Sequence, residues 1–218
     1  MIILYGHPFS RAHRVMWMLR ELGLDFDHVP TDFIHGGTRA AEFLAVNPNG
    51  RVPALVDGDF ILFESLAINL YLAKRYGGTL APNDIREDAL ATQWSLWVAN
   101  EVEGPLLFAA ANLALFPPDG RRPDQAAIGL GKLARPFCVL DHHLASHKWL
   151  IGDRFTVADL NVAAVMSLIP ICAIDIAAWP AMAGWLARCL ERPAADDWRP
   201  IHFTIPRPDD NGLLAMFI

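Results

Sequence analysis

Apolar positions change their spacing once along the chain. Up to residue 78, short apolar runs alternate with stretches whose apolar residues recur every three or four positions, and beyond residue 87 only the second pattern remains. Residues 2–5, 26–29, 52–56 and 59–63 read as strands. Residues 10–22 read as a helix with Val15, Met18, Leu19 and Leu22 on one stripe, and residues 38–44 as a shorter one. A further helix opens at Glu64-Ser65 and closes at Gly77-Gly78. Later helices are expected over 87–115 with a kink at Gly104-Pro105, 124–147 with a break at Pro136, 156–168, and 180–191 with proline in its first turn.

The order βαβ, α, ββ, α is that of a thioredoxin-like fold. The chain is therefore expected to be α/β plus all-α: a thioredoxin-like domain over 1–78, a linker over 79–86 containing Pro82, and an all-helical domain over 87–218. Thr156 and Asp159 form a capping box at the start of one helix, with Asp in place of the usual Glu or Gln.

Composition narrows the partners. The 218 residues are 53% hydrophobic and 19% charged, which suits a packed globule and not a disordered chain. A formal charge of −6 with no block of like charges argues against nucleic acid. The apolar stretch 160–179 contains Asn161, Pro170 and Asp175, so it reads as core helices and no membrane partner is expected. Cys138, Cys172 and Cys189 lie in apolar helical stretches and are odd in number, which points to buried reduced thiols and the cytoplasm. The opening apolar residues are halted by Gly6-His7-Pro8, so no leader peptide is expected.

The densest cluster of signals is Asn47-Pro48-Asn49-Gly50-Arg51-Val52-Pro53-Ala54-Leu55. Its first residues make a turn, and the strand that follows has, at its second position, a proline that cannot donate a ladder hydrogen bond. That strand should begin at a sheet edge or beside a ligand. Asp57-Gly58 signals a hairpin, after which Glu64 and Ser65 stand at a helix N-terminus. Free N–H groups and a partial positive charge there suit a carboxylate, although the two residues also serve as caps.

This proline turn and Glu-Ser pair, at this spacing, resemble the glutathione-binding half of the glutathione S-transferases, and the Thr156/Asp159 box matches the folding motif of that family's second domain. The resemblance covers nearly the whole chain and is to a serine-type, bacterial-like member. It implies a cis bond at Pro53, a Val52 backbone that pairs with an extended peptide, and Glu64 and Ser65 holding the γ-glutamyl amine and carboxylate of glutathione.

The loop after the first strand, residues 6–15, contains no cysteine, and none occurs before Cys138, so catalysis by an internal disulfide is excluded. Ser10 with Arg14 four positions on resembles the Ser-x-x-x-Arg of the serine-type members. A serine hydroxyl donates a hydrogen bond to a bound thiolate. Lowering a thiol pKa from about 8.5 to about 6.5 takes ~2.7 kcal/mol, within reach of one charge-assisted bond and a helix N-terminus. As a helix cap Ser10 accepts with its oxygen and keeps its proton to give. Tyr5 is the alternative donor, as in other classes of the family, and Arg11 assists by its field.

The glycine end of glutathione requires cations or hydroxyls, for which Thr38, Arg39 and Arg51 are candidates, with His35 replacing the histidine or lysine the family often has near Thr38. The second-substrate pocket is expected between Ser10 and the helix carrying Trp94, Trp97, Asn100, Glu101 and Phe108, lined by Phe9, Asn100 and Phe108. Glu101 and Glu103 are either a solvated face or a reach across a dimer interface to the γ-glutamyl amine. His143 and His147 share a helix face, but no glutamate follows His143 to complete a zinc-protease motif, and no metal is expected.

The resemblance implies a homodimeric glutathione transferase, a detoxification enzyme joining glutathione, as co-substrate and with no cofactor, to a small electrophile. The alternatives are a non-catalytic glutathione-binding module and a glutathione-dependent disulfide or peroxide reductase.

Overall fold

The computed structural model describes residues 1–195; the end of the expected helical region, residues 196–218, lies outside them. Strands β1 (Ile2–Gly6), β2 (Asp27–Pro30), β3 (Ala54–Asp57) and β4 (Phe60–Phe63) form one sheet in the order β2-β1-β3-β4. β2 runs parallel to β1, while β3 and β4 are antiparallel additions. The parallel pair needs a crossover, supplied by α1 (Ala12–Glu21). Leu4 and Leu55 are register partners, fully buried in the same core as Val15 and Leu19 of α1 and Ile68 and Leu72 of α3 (Ser65–Tyr76). On alternate positions Tyr5 turns to Phe43 of α2 (Ala41–Val46), with ring centroids 6.2 Å apart. The sheet is thus layered between helices, the thioredoxin-like arrangement expected.

Several boundaries differ from the sequence reading. The first helix starts at Ala12 instead of residue 10, because the backbone at Ser10 still belongs to the turn that donates to His7 O. The short helix expected over 38–44 divides into a 3-10 turn, Gly37–Arg39, and α2, with extended backbone at Ala40 between them. β3 begins at Ala54, after the cis Val52-Pro53 bond, so Val52 precedes the ladder. The hairpin turn is Gly58-Asp59, since Asp57 still pairs with Phe60.

Beyond the sheet the described chain is helical. α4 (Ile85–Trp97) is capped by Asp84, whose carboxylate accepts from the N–H groups of Arg86 and Glu87. At Gly104-Pro105 the helix continues: a π-helical segment, Val98–Glu103, leads with helical dihedrals into α5 (Gly104–Ala110), and a second, Ala111–Leu115, follows. α6 (Pro123–Leu144) likewise runs through Pro136 without a break. Its buried stripe includes Pro136 and Gly129, where a Cβ would stand 2.8 Å from the Pro105 carbonyl oxygen, so the helix packs closely on α5.

α7 (Val157–Met166) is buried along its whole length and starts at the expected box. Asp159 accepts from Thr156 N and Oγ1, and also from Leu150 N and Trp185 Nε1. α8 (Leu168–Ile171) and α9 (Pro180–Leu190) complete the bundle. No described helix is long and apolar enough to cross a membrane. Cys172 and Cys189 are buried, which pushes both thiols up, Cys172 to about 11. Cys138 departs from the expectation: it is exposed, on the outward face of α6, with Trp179 Nε1 at 3.3 Å from its sulfur.

Candidate active site

Ser10 lies where β1 hands over to α1, with its side chain enclosed by the turn. Its Oγ accepts from Ala12 N at 3.1 Å and from His7 N at 3.4 Å, and donates to the His7 carbonyl at 2.7 Å. The oxygen therefore serves the helix start as expected, and the proton is engaged by the His7 carbonyl. Tyr5, the alternative donor, points from the middle of the sheet toward Phe43.

Arg14, one turn along α1, is 5% exposed and connects three elements. Its Nη1 donates to Ser65 Oγ at 3.3 Å and to Glu103 Oε2 at 3.3 Å, while Nη2 donates to Glu103 Oε1 at 2.9 Å. Arg11 pairs with the same carboxylate through Nε, so it is held in a triad with Arg14. Burial by itself would raise the Glu103 carboxyl; the charges of Arg14 and Arg11, with their hydrogen bonds, outweigh it and hold the group at about 2. For Arg14 burial is the largest influence and lowers its pKa, with Glu103 the main counterweight. Two guanidinium groups against one carboxylate leave positive charge behind Ser10 and Ser65.

Glu64 stands ahead of α3 with φ 71° and ψ 106°, a backbone region that non-glycine residues avoid. Ser65 is buried and takes the Arg14 bond. A second relay ties this region to the helical half: Asn69 Nδ2 donates to Arg14 O and to Asn161 Oδ1, and Asn161 Nδ2 donates to Ser95 Oγ. His13 bridges the same halves, with Nδ1 2.8 Å from Ser10 O and Nε2 3.2 Å from Ala164 O. Burial first, then the Arg14 charge, pulls it down to about 4, so it is neutral near pH 7.

At the other end of the site the turn before Val52 is fixed by Asn47, whose Nδ2 donates to Arg51 O at 2.6 Å. A Cβ at Gly50, which has φ +60°, would stand 2.8 Å from Arg39 Nη1 and 3.1 Å from Thr38 O. The candidates Thr38, Arg39 and Arg51 are thus gathered round one turn. His35 is spent on Asp32, with Nδ1 2.9 Å from the carboxylate. Phe9 stacks on His7 at 5.0 Å, close to Ser10.

Asn100 and Glu101 are exposed on the first π segment, whereas Trp94 is buried against Trp97 and His143. Trp94 is therefore core and does not line the site. His143 and His147 stack at 4.4 Å and direct ring nitrogens to backbone carbonyls; no group of three metal-ligating side chains occurs among the described residues. Sequence reasoning missed Glu103 as a partner within the chain, as well as Asn69 and His13. Asn161, polar inside an apolar run, was the one signal available.

Comparison with known proteins accounts for both halves. The sequence profile of the glutathione S-transferase N-terminal domain matches residues 1–74, and that of the C-terminal domain residues 105–193. The chain is 40% identical over 211 residues to Glutathione S-transferase 3 of Zea mays, covering 88% of this chain and 90% of that one. It is 32% identical over 201 residues to the disulfide-bond oxidoreductase YfcG of Escherichia coli, covering 89% and 92%. Among solved structures, glutathione S-transferase-I bound with lactoylglutathione superposes with a TM-score of 0.83 at 30% identity, over 91% of this chain and 98% of that one.

Proposed function

The chain belongs to the glutathione S-transferase family, and we propose that it is a serine-type, bacterial-like member that binds glutathione as thiolate and conjugates it to a small electrophile. The observation that carries this reading is the Arg14 bridge. One guanidinium joins the helix that begins beside Ser10 to Ser65 at the start of α3, so the thiolate donor and the γ-glutamyl subsite form one electrostatic unit. In this reading Glu64 and Ser65 take the γ-glutamyl end, the Val52 backbone beside cis-Pro53 takes the cysteinyl unit, and Thr38, Arg39 and Arg51 take the glycine carboxylate. Phe9, Asn100 and Phe108 face the electrophile. Tyr5, whose ring turns toward Phe43 of α2, is the alternative donor.

Glutathione is a co-substrate here, and no further cofactor is needed. We assign the binding domain to 1–78, the start of the helical domain to residue 87, a cytoplasmic location, and a homodimer. Ile85 and Leu96 of α4 and Phe60 and Ile61 of edge strand β4 supply exposed apolar surface for that pairing.

Calorimetric titration with glutathione, together with turnover of an aryl halide, tests the reading. Binding without turnover would leave a binding module, and no binding would defeat the assignment. A second reading, disulfide reduction, is favoured by the likeness to the Escherichia coli oxidoreductase. With no cysteine before residue 138, such chemistry would run through the thiol of glutathione itself. Glutathione consumption with a disulfide substrate but little with aryl halides would support it.

A further inference from the structure

One carboxylate ties the far end of α3 to the hairpin that carries the peptide site. Val52, just ahead of β3, and Glu64-Ser65, just after β4, stand at the same end of the β3–β4 hairpin, where Ala54 pairs with Phe63. The other end is the turn at Gly58-Asp59, where Asp57 pairs with Phe60. α3 starts at the first end and runs back to the second.

There Asp57 Oδ2 accepts from Tyr71 OH at 2.9 Å and from Tyr76 OH at 2.6 Å. The two donors come from successive turns of the helix, so a single oxygen fixes both its slide along its axis and its rotation about it. Phe60, opposite Asp57 in the ladder, packs on Tyr71 with ring centroids 5.0 Å apart. The bond to Asp57 pushes the Tyr76 phenol up to about 12, and burial pushes that of Tyr71 up, so both hydroxyls keep the protons they share. The 12-residue helix transmits the constraint to Ser65 as a rod of roughly 16 Å at 1.5 Å per residue.

We propose that Asp57 is a positioning residue for the peptide site: by holding Tyr71 and Tyr76 it sets where the start of α3 stands relative to the Val52 backbone, and so the span offered to the γ-glutamyl and cysteinyl units of glutathione. The inference rests on the glutathione reading of that site and adds to it a residue that touches no ligand. Without the tie, α3 and the hairpin are still joined by the chain at Glu64, but the helix is free to slide and turn against β3. An extended peptide held at both points then meets a span that varies, and part of its binding energy goes into restoring the right one. Ser10 takes its bonds from His7 and Ala12 and none from α3, so the donor to the sulfur is independent of this tie.

The test reads peptide affinity and thiol ionisation separately. In Asp57→Ala the calorimetric affinity for glutathione should fall about 10-fold, while the pKa of the bound thiol, followed by thiolate absorbance, stays the same. Asp57→Asn, which keeps an oxygen acceptor for both hydroxyls, should recover most of that affinity. The double variant Tyr71→Phe/Tyr76→Phe keeps the carboxylate and removes both donors; it should match Asp57→Ala, and combining all three substitutions should weaken binding no further. Thermal melts establish which variants are folded, and the phenylalanine pair, which keeps both rings, carries the test where Asp57→Ala does not fold. Unchanged affinity in the folded variants, an equal fall in Asp57→Asn, or a thiol pKa that rises along with the loss of affinity overturns the proposal. A wild-type protein that binds no glutathione overturns the reading of the site instead.

Discussion

Arg14 and Glu103, 89 residues apart, meet with Nη2 2.9 Å from Oε1 at the junction of the sheet-bearing and helical halves. Both side chains are largely buried, 6% and 14% exposed, so the pair depends on each partner being present. It is the point at which folding energy and site electrostatics are the same interaction.

Removing the carboxylate should therefore be costly. Glu103→Ala leaves Arg14 buried with its main counter-charge gone, and should lose about 3–5 kcal/mol of stability in urea melts. Because the folded carboxyl is held at about 2 against an ordinary 4.5, its contribution is complete above pH 4.5 and is lost as the pH falls toward 2. Wild-type stability should fall across that window more steeply than that of Glu103→Gln. Parallel pH profiles for the two would show that the pair carries no such linkage.

Ser10→Ala removes the proposed donor to the sulfur. The conjugation rate should fall about 10- to 1000-fold, equivalent to some 1.4–4 kcal/mol in the transition state, while affinity for glutathione changes little. The bound thiol's pKa, followed by thiolate absorbance, should rise toward its free value. A stability loss of up to ~1 kcal/mol should accompany this, since Ala12 N loses its acceptor. Retention of both the full rate and the lowered thiol pKa would reduce Ser10 to a cap and return Tyr5 to consideration.

Glu64 offers a case where stability and binding should move in opposite directions. Glycine accepts φ 71° without a side-chain penalty, so Glu64→Gly should raise the folding stability by about 1 kcal/mol. Loss of the carboxylate should at the same time weaken glutathione binding by roughly 1.5–3 kcal/mol. Glu64→Ala should weaken binding similarly without the stability gain. Calorimetry and melts on the two variants decide it, and unchanged affinity in both would refute the orientation proposed for the peptide.

Asp159 should be far more expensive to remove than an exposed cap, for which the usual cost is about 1 kcal/mol. Its carboxylate serves Leu150 N and Trp185 Nε1 as well as Thr156, so Asp159→Ala strands several buried donors. At roughly 1–3 kcal/mol per stranded group, a loss on the order of 4 kcal/mol is expected in denaturant melts. A cost near that of an ordinary cap would mean that water reaches these donors in the variant.

What could be read from the sequence was local. The Thr156/Asp159 box spans four residues, and the turn around Gly50 reports its own backbone, so both were legible at the right positions. The π segments on either side of α5 were not, because an extra residue in a helical turn is chosen by what packs on it and not by propensity. Pro136 was misjudged because its propensity is local, whereas it is a buried position of a 22-residue helix packed against the rest of the bundle. The relay from Asn69 through Asn161 to Ser95 joins three elements, and a single polar residue in an apolar stretch indicated a partner without saying which.

The hydroxyl of Ser10 gives its proton to the His7 carbonyl at 2.7 Å, and this sets a threshold for any other acceptor. To win the proton, a newcomer must be a better acceptor than an amide oxygen already in place. A thiolate meets that condition because charged acceptors form bonds roughly twice as strong as neutral ones, whereas a neutral thiol or alcohol does not. If Ser10 is the thiolate donor proposed, the turn at His7 acts as a comparator, making the serine respond to the ionisation of its ligand and ignore peptides of the same shape that cannot ionise.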